Sequence, residues 1–380
     1  MGRINWSLMA DRYKSDGELV YANSVIDLIN KGAINESNFS LKGLWESMGR
    51  PNLSKDRELG KIITESEFSE GLNSTMFPVV TGSLINKTVQ KAYDMAYSIG
   101  DNLVTVLPSS VKDETIVGFT AADVLEEVQE SMPYVEGSFG EKYHKIMNKK
   151  YGRLITLTEE AIKFDQTGQF ILRAKTLGKN ARAKKESIIM EAVLENASTG
   201  SSAAWRPAGT ATTLYSNAST DPYTTATLDN IIADSLADET DIDAAMTLFA
   251  GYTDEAAQYI TVVPKILLTS MALISTAKKI VNSTGSLIAT YSSGVINPYK
   301  ENFIPLASPL VDNLKGAKYW ALGDFKSQFY YTEVFPIGTF QAKPGNEDEW
   351  KRDVVFGFKV RLMGGCGAIS NRYVILSTGT

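Results

Sequence analysis

Apolar positions along this chain change their period from segment to segment, and each change marks an element. From about Thr167 to Asn196, Phe170, Ala174, Leu177, Ala181, Ile188 and Ala192 recur at helical steps. This predicts one long helix, although Lys184 or Lys185 interrupts the stripe. At ~1.5 Å per residue it spans roughly 45 Å, more than one ordinary core requires. Gly178 is its expected bend. Lys175, Lys179, Arg182 and Glu186 form a polar stripe. That stripe reads either as an ordinary solvated face or as a basic face turned toward nucleic acid.

The stretch before it has strand-like alternation without an apolar face. An outgoing leg runs from Thr115 to about Glu130, and Pro133, Gly137 and Gly140 mark a turn. On the returning leg Tyr143, Lys145, Met147, Lys149, Tyr151, Arg153 and Ile155 share one side, and His144, Ile146, Lys150, Leu154 and Thr156 the other. Such a ribbon is marginal alone in water and needs a partner surface. Its tip is acidic at Glu126, Glu127, Glu130, Glu136 and Glu141, and its returning leg basic at Lys142, Lys145, Lys149, Lys150 and Arg153. Opposed charges on the two legs are expected to help set the register.

Residues 1–85 alternate short amphipathic pieces, such as Leu19–Ile29 and Phe39–Met48, with polar stretches, and read as a wrapping arm. A helix is expected over Thr88–Ile99 and a strand over Leu103–Leu107. Residues 197–227 are rich in Ser, Thr, Ala and Gly and read as a loop. Helical patterning resumes over 228–250. Ile260–Val263 reads as a buried strand leading to a helix over Lys265–Val281. The end is β-rich: Tyr319–Phe325, Phe329–Phe335, Val354–Leu362 and Tyr373–Leu376. In the third of these, Val354, Phe356, Phe358, Val360 and Leu362 share one face. There is no internal repeat.

Composition narrows the chemistry. The 380 residues are 43% hydrophobic and 22% charged, enough for one large core or two medium ones. A net charge of −6 argues against bulk nucleic-acid binding through a basic surface. No apolar run approaches the roughly 18 residues of a membrane span, and the N-terminus has no signal-peptide pattern. An intracellular protein without a membrane partner is expected. One cysteine, Cys366, and one histidine, His144, exclude an internal disulfide and most zinc sites. Gly364-Gly365-Cys366-Gly367 lacks the third glycine of a dinucleotide loop and reads as a turn between strands. Any Ser–His–acid site would need His144, in a polar hairpin unsuited to a rigid dry pocket. No Walker A, HExxH or G-x-S-x-G pattern occurs. We therefore expect no catalytic residue, cofactor or metal.

In their order and spacing, the hairpin, long helix and β-rich end resemble the major capsid proteins of tailed bacteriophages with the Hong Kong 97-type fold. The resemblance covers about residues 86–380. It rests on Tyr151-Gly-Arg-Leu-Ile-Thr-Leu-Thr-Glu-Glu-Ala-Ile162, on Gly323-Asp324-Phe325, and on the ending Asp353-Val-Val-Phe-Gly-Phe-Lys-Val-Arg361-Leu-Met-Gly-Gly365. It implies an α+β fold with an N-terminal arm (1–85), a peripheral domain (86–114, 158–227 and 335–362), an E-loop (115–157) and an axial domain (228–334). The spine helix lies within the peripheral domain, and a C-terminal strand (363–380) ends the chain. Residues 1–85 do not read as the long scaffolding helix that many members carry.

The resemblance implies a shell subunit rather than an enzyme. Copies would form pentamers and hexamers around packaged double-stranded DNA, contacted weakly and without specificity. A separate scaffolding protein and a portal are implied partners. The place is the virion capsid, assembled in the bacterial host cytoplasm. Expected assembly contacts are Glu126, Glu127, Glu130, Glu141, Lys142, Lys145, Lys149 and Lys150 in the hairpin, and Lys175, Lys179 and Arg182 on the helix. Two alternatives stay open here: an encapsulin-type compartment of the same fold, or an unrelated two-domain α+β enzyme or binding protein.

Overall fold

The computed structural model describes residues 18–32, 34, 76–120, 128, 136, 140–158, 169–195, 204–223, 227–288, 296–341 and 354–379. Its elements begin with α1 (Glu18–Asn30), α2 (Met76–Met95), α3 (Gly100–Leu103), β1 (Thr105–Pro108), β2 (Asp113–Phe119), β3 (Glu141–Met147), β4 (Lys149–Thr158) and α4 (Gln169–Val193). They continue with β5 (Ser219–Thr220), β6 (Thr227–Leu228), β7 (Ile231–Ile232), α5 (Glu239–Ala250), β8 (Ile266–Thr269), α6 (Ile274–Asn282) and β9 (Ile304–Ala307). The last are α7 (Pro309–Leu314), β10 (Trp320–Gly323), α8 (Phe325–Gln328), β11 (Phe329–Gln341), β12 (Val354–Ala368) and β13 (Val374–Ser377). The chain divides into one unit of residues 1–97, 150–183 and 335–362, and another of 98–149, 184–334 and 363–380.

In the first unit, Tyr21, Val25 and Ile29 recur every four residues on α1 and are fully buried. They belong to one helix pair with α2, whose Val80, Leu84 and Val89 are also buried. The Lys87 ammonium donates to the carbonyls of Ile29 and Asn30, closing the C-terminal end of α1. The helix expected from Thr88 is the second half of α2, which runs through the boundary expected at residue 85. The expected piece Phe39–Met48 lies outside the described residues. Gly178 of α4 has a packing role. A Cβ there would sit 2.4 Å from the Val89 carbonyl oxygen, so this glycine admits α2 at close range. On β12, Phe358, Val360 and Leu362 are buried while Lys359 is exposed, as the alternation predicts.

The second unit is built on a five-stranded sheet of order β7-β13-β10-β8-β9. Alternate residues feed two cores. Ala321, Ile266, Leu268, Val374 and Leu376 join Ile189, Val193, Trp205, Phe325 and Phe329 in one. Trp320, Leu322, Leu267 and Ile375 join Ile242, Phe249, Ala277 and Ile280 in the other. The expected strand Ile260–Val263 is irregular, and the strand lies at Ile266–Thr269, where it pairs with β10. Its helix starts correspondingly late, at Ile274. Asp238 caps α5 in a reciprocal arrangement with Asp241, and Ser308 caps α7 ahead of Pro309.

The interrupting lysine of α4 has a partner. Lys185 is buried, lies 3.3 Å from the Asp101 carboxylate, and sits over the Tyr331 ring. The glycine run at 364–367 is not a turn. It lies inside β12, where a Cβ on Gly364 would meet the Thr332 carbonyl at 2.6 Å and one on Gly365 the Met147 carbonyl at 2.3 Å. The glycines let the end of β12 pass close to neighbouring backbones.

Candidate functional site

The hairpin stem is β2 paired antiparallel with β3, from Asp113 opposite Met147 to Phe119 opposite Glu141. None of these described pairs sets a lysine opposite an acid, and Glu126, Glu127 and Glu130, the acids expected nearer the tip, lie outside the described residues. Thr115 faces Lys145 and Gly118 faces Lys142. The free edge of β3 is instead closed by the segment around Pro207. Lys145 N donates to the Arg206 carbonyl at 3.2 Å, and Ala208 N to the Tyr143 carbonyl at 3.0 Å. Tyr223 binds the same point: its hydroxyl accepts from Tyr143 N and donates to the Tyr143 carbonyl.

The two faces of the stem differ sharply. The inner face carries Lys142, His144 and Ile146, with His144 and Ile146 buried. The inner side of the stem lines a cavity of about 230 Å³ with Glu255 and Arg372. Lys142 Nζ lies 3.1 Å from Glu255 Oε1, and Arg372 bridges Glu255 at 3.0 Å and Asp221 at 3.2 Å. The side chains of Arg372, Asp221 and Glu255 are at most 8% exposed. His144 is pushed down to about 4, first by burial and then by the Lys142 and Arg372 charges, against the pull of Asp221 and Glu255. His144 is thus packed into the protein, where the polarity of the hairpin had suggested an open ribbon.

The outer face carries Thr115, Val117, Phe119, Tyr143 and Lys145 in the same alternation. Val117 is 64% exposed, Phe119 67% and Tyr143 37%. Val117 stands directly opposite Tyr143, so the three rings and branches form one apolar strip between Glu141 and Lys145. The strip was readable in advance, because Thr115, Val117 and Phe119 alternate in the sequence. The Arg372–Asp221–Glu255 cluster was not, because its members are far apart in the chain.

The expected contact residues divide as follows. Glu126, Glu127 and Glu130 lie outside the described residues. Glu141, Lys145, Lys149 and Lys150 are exposed. The Lys142 ammonium is held inside the chain by Glu255. On α4, Lys179 is exposed and Lys175 half-buried, and Arg182 lies 5.1 Å from the centre of the Tyr93 ring. No group of His, Cys, Asp and Glu among the described residues could hold a metal ion. No described helix is long and apolar enough to cross a membrane.

Comparison with known proteins gives this geometry a context. No curated protein sequence matches the chain. Among solved structures it is similar to the capsid of a native GTA particle, at 9% identity and a TM-score of 0.50, over 76% of this chain and 89% of that one. It is also similar to a chain of Gordonia phage Cozz, at 14% identity and a TM-score of 0.46, over 74% and 85%. A virus-like particle from Pyrococcus furiosus matches at 10% identity and a TM-score of 0.43, over 77% and 97%. The first likeness places the chain in the Hong Kong 97-type capsid fold. A family described as phage capsid protein matches residues 145–376, more than half of the sequence, and the chain belongs to that family.

Proposed function

We propose that this major capsid protein tiles a closed icosahedral shell of pentamers and hexamers enclosing phage double-stranded DNA. The family match over residues 145–376 carries the reading. The two-faced hairpin stem supports it and suggests how copies meet. Its inner face is committed to the chain's own Glu255, Asp221 and Arg372, while Val117 and Phe119 face outward largely exposed beside the partly exposed Tyr143. An apolar strip of this kind, rimmed by Glu141 and Lys145, fits the surface of an adjacent copy. The protein then works by binding rather than turnover, with each contact weak and the closed shell stable through their number. A separate scaffolding protein and a portal complete the assembly. The site of assembly is the bacterial cytoplasm and the destination the virion. Acidic net charge suits a shell that holds its DNA loosely. Negative-stain electron microscopy with light scattering on the purified chain tests the reading. Closed shells or tubes are expected. A monomer that persists through crowding agents, salt and added scaffold overturns it.

A further inference from the structure

Of the basic stripe read from the sequence of α4, Lys175 is half-buried and Arg182 stands against the Tyr93 ring, so Lys179 alone of these three is exposed. Other charges of the first unit are left in water. An open groove of about 620 Å³ runs between β4 and α4. Arg153 and Thr156 line it from the strand, and Arg173 and Asn180 from the helix. All four are exposed. Arg173 and Asn180 are seven residues apart, so they share one helix face over about 10 Å. Among the described residues, neither arginine is paired with an acid.

The chain as a whole carries a net charge of −6, yet no acid occurs from Lys142 to Thr158 or from Gln166 to Lys185. Both walls of the groove come from these two stretches. Two guanidinium groups in water with no carboxylate on either wall are complementary to a ligand that carries several negative charges. Thr156 and Asn180 add uncharged donors of the kind that contact phosphate oxygens. Leu154 and Leu172 also line the groove, 57% and 59% exposed, and offer apolar surface to a sugar. No aromatic side chain lines it, so a single strand, which binds through base stacking, fits less well.

We infer that the groove seats the phosphate backbone of double-stranded DNA without reading its sequence. Arg153 and Arg173 each meet a phosphate, and Thr156 and Asn180 bond its oxygens. The inference rests on the shell reading for its cargo, and it gives the loose hold of an acidic shell a definite place. The net charge argues against a bulk basic surface. A local groove needs only a few contacts per copy, repeated over many copies.

Salt-dependent binding tests it. The purified chain is titrated into short labelled duplexes of two unrelated sequences, read by fluorescence anisotropy. The unaltered chain is expected to bind both alike, more weakly as salt rises. Arg153→Ala with Arg173→Ala should weaken both alike and reduce the slope of log affinity against log salt by about 2, one phosphate contact per arginine. Arg153→Lys with Arg173→Lys should keep the slope, because the charge is kept. Lys278→Ala with Lys279→Ala, a change of two exposed lysines on α6, should leave binding as it was. Melting curves check that each variant folds, and light scattering that it assembles like its parent. No binding by the unaltered chain, an unchanged slope in the alanine variant, or an equal fall in the α6 variant would overturn the inference. Poly-glutamate that competes as well as unlabelled DNA at equal charge would make an acidic peptide the occupant and overturn it too. So would loss of shells in the alanine variant with DNA binding intact, which marks a contact between copies. If the unaltered chain binds DNA through the groove yet forms no shells, the shell reading fails and the groove stands.

Discussion

Arg372→Ala should be among the most costly single substitutions at the base of the hairpin. Arg372 has two carboxylate partners, Glu255 at 3.0 Å and Asp221 at 3.2 Å, and all three side chains are at most 8% exposed. Removing one member of a buried ion cluster strands the others, at a cost of about 3–5 kcal/mol. Glu255 keeps Lys142 at 3.1 Å. The stranded charge is therefore mainly Asp221, which accepts a hydrogen bond from Tyr223 N at 3.1 Å. Against a typical total of about 5–15 kcal/mol, the loss should be plain in a urea denaturation midpoint. Two further readings fix the cause. Adding Asp221→Asn to Arg372→Ala should recover part of the loss, because the stranded charge is gone. Salt approaching roughly 1 M should change the cost little, since buried pairs are weakly screened. A loss below about 1 kcal/mol, the range of surface ion pairs, would refute the claim that these groups neutralise one another away from water.

Four other outcomes are expected. His144 stays neutral in the folded protein down to about pH 4 but takes a proton near 6.5 when unfolded, so it withdraws about 3 kcal/mol of stability as pH falls from 6.5 to 4. His144→Gln should remove that part of the pH slope, and an unchanged slope in denaturation curves would count against the burial of the ring. Gly178→Ala should lower the melting temperature, since overpacking against the Val89 carbonyl at about 1–3 kcal/mol outweighs the gain of roughly 1 kcal/mol in helix propensity. Val117→Asp with Phe119→Asp should leave the melting temperature near that of the parent while suppressing shells in light scattering. Lys145→Glu with Lys149→Glu should likewise disturb assembly without unfolding the chain, and normal shells would remove those lysines from the contact.

What the sequence made legible was whatever a local period decides. Phe358, Val360 and Leu362 turn inward because strands alternate, and the stripe of α4 follows from helical steps. What it hid was decided by distant partners. Lys185 breaks the apolar stripe, yet Asp101 and Tyr331 make a buried cation acceptable there. Ile260–Val263 and Ile266–Thr269 are equally strand-like in composition; pairing to β10 selected the second, and Pro264 lacks the donor that a central strand must supply. The glycines at 364–367 carried no local sign of their role, because the backbones they admit come from Met147 and Thr332. Gly178 was legible as unusual but not as a packing device. Its propensity speaks to the helix alone, whereas the close contact depends on α2.

The two faces of the hairpin stem serve different ends. Lys142 and His144 point into the molecule beside Ile146, and Val117, Phe119 and Tyr143 point out between the charged Glu141 and Lys145. Each direction has a consequence. The inner contacts are directional: Arg372 reaches two carboxylates, and Tyr223 holds both backbone atoms of Tyr143, so the stem is fixed in angle as well as in place. The outer strip is not directional, and each of its side chains could contribute on the order of 1–2 kcal/mol when covered. A few such side chains cannot hold two copies together against the cost of association. Repeated around a closed shell they can, because every copy is then held by several neighbours at once. A rigidly aimed but individually weak contact lets misplaced copies leave before the shell closes around them, which is the property an assembling subunit needs and a solitary enzyme does not.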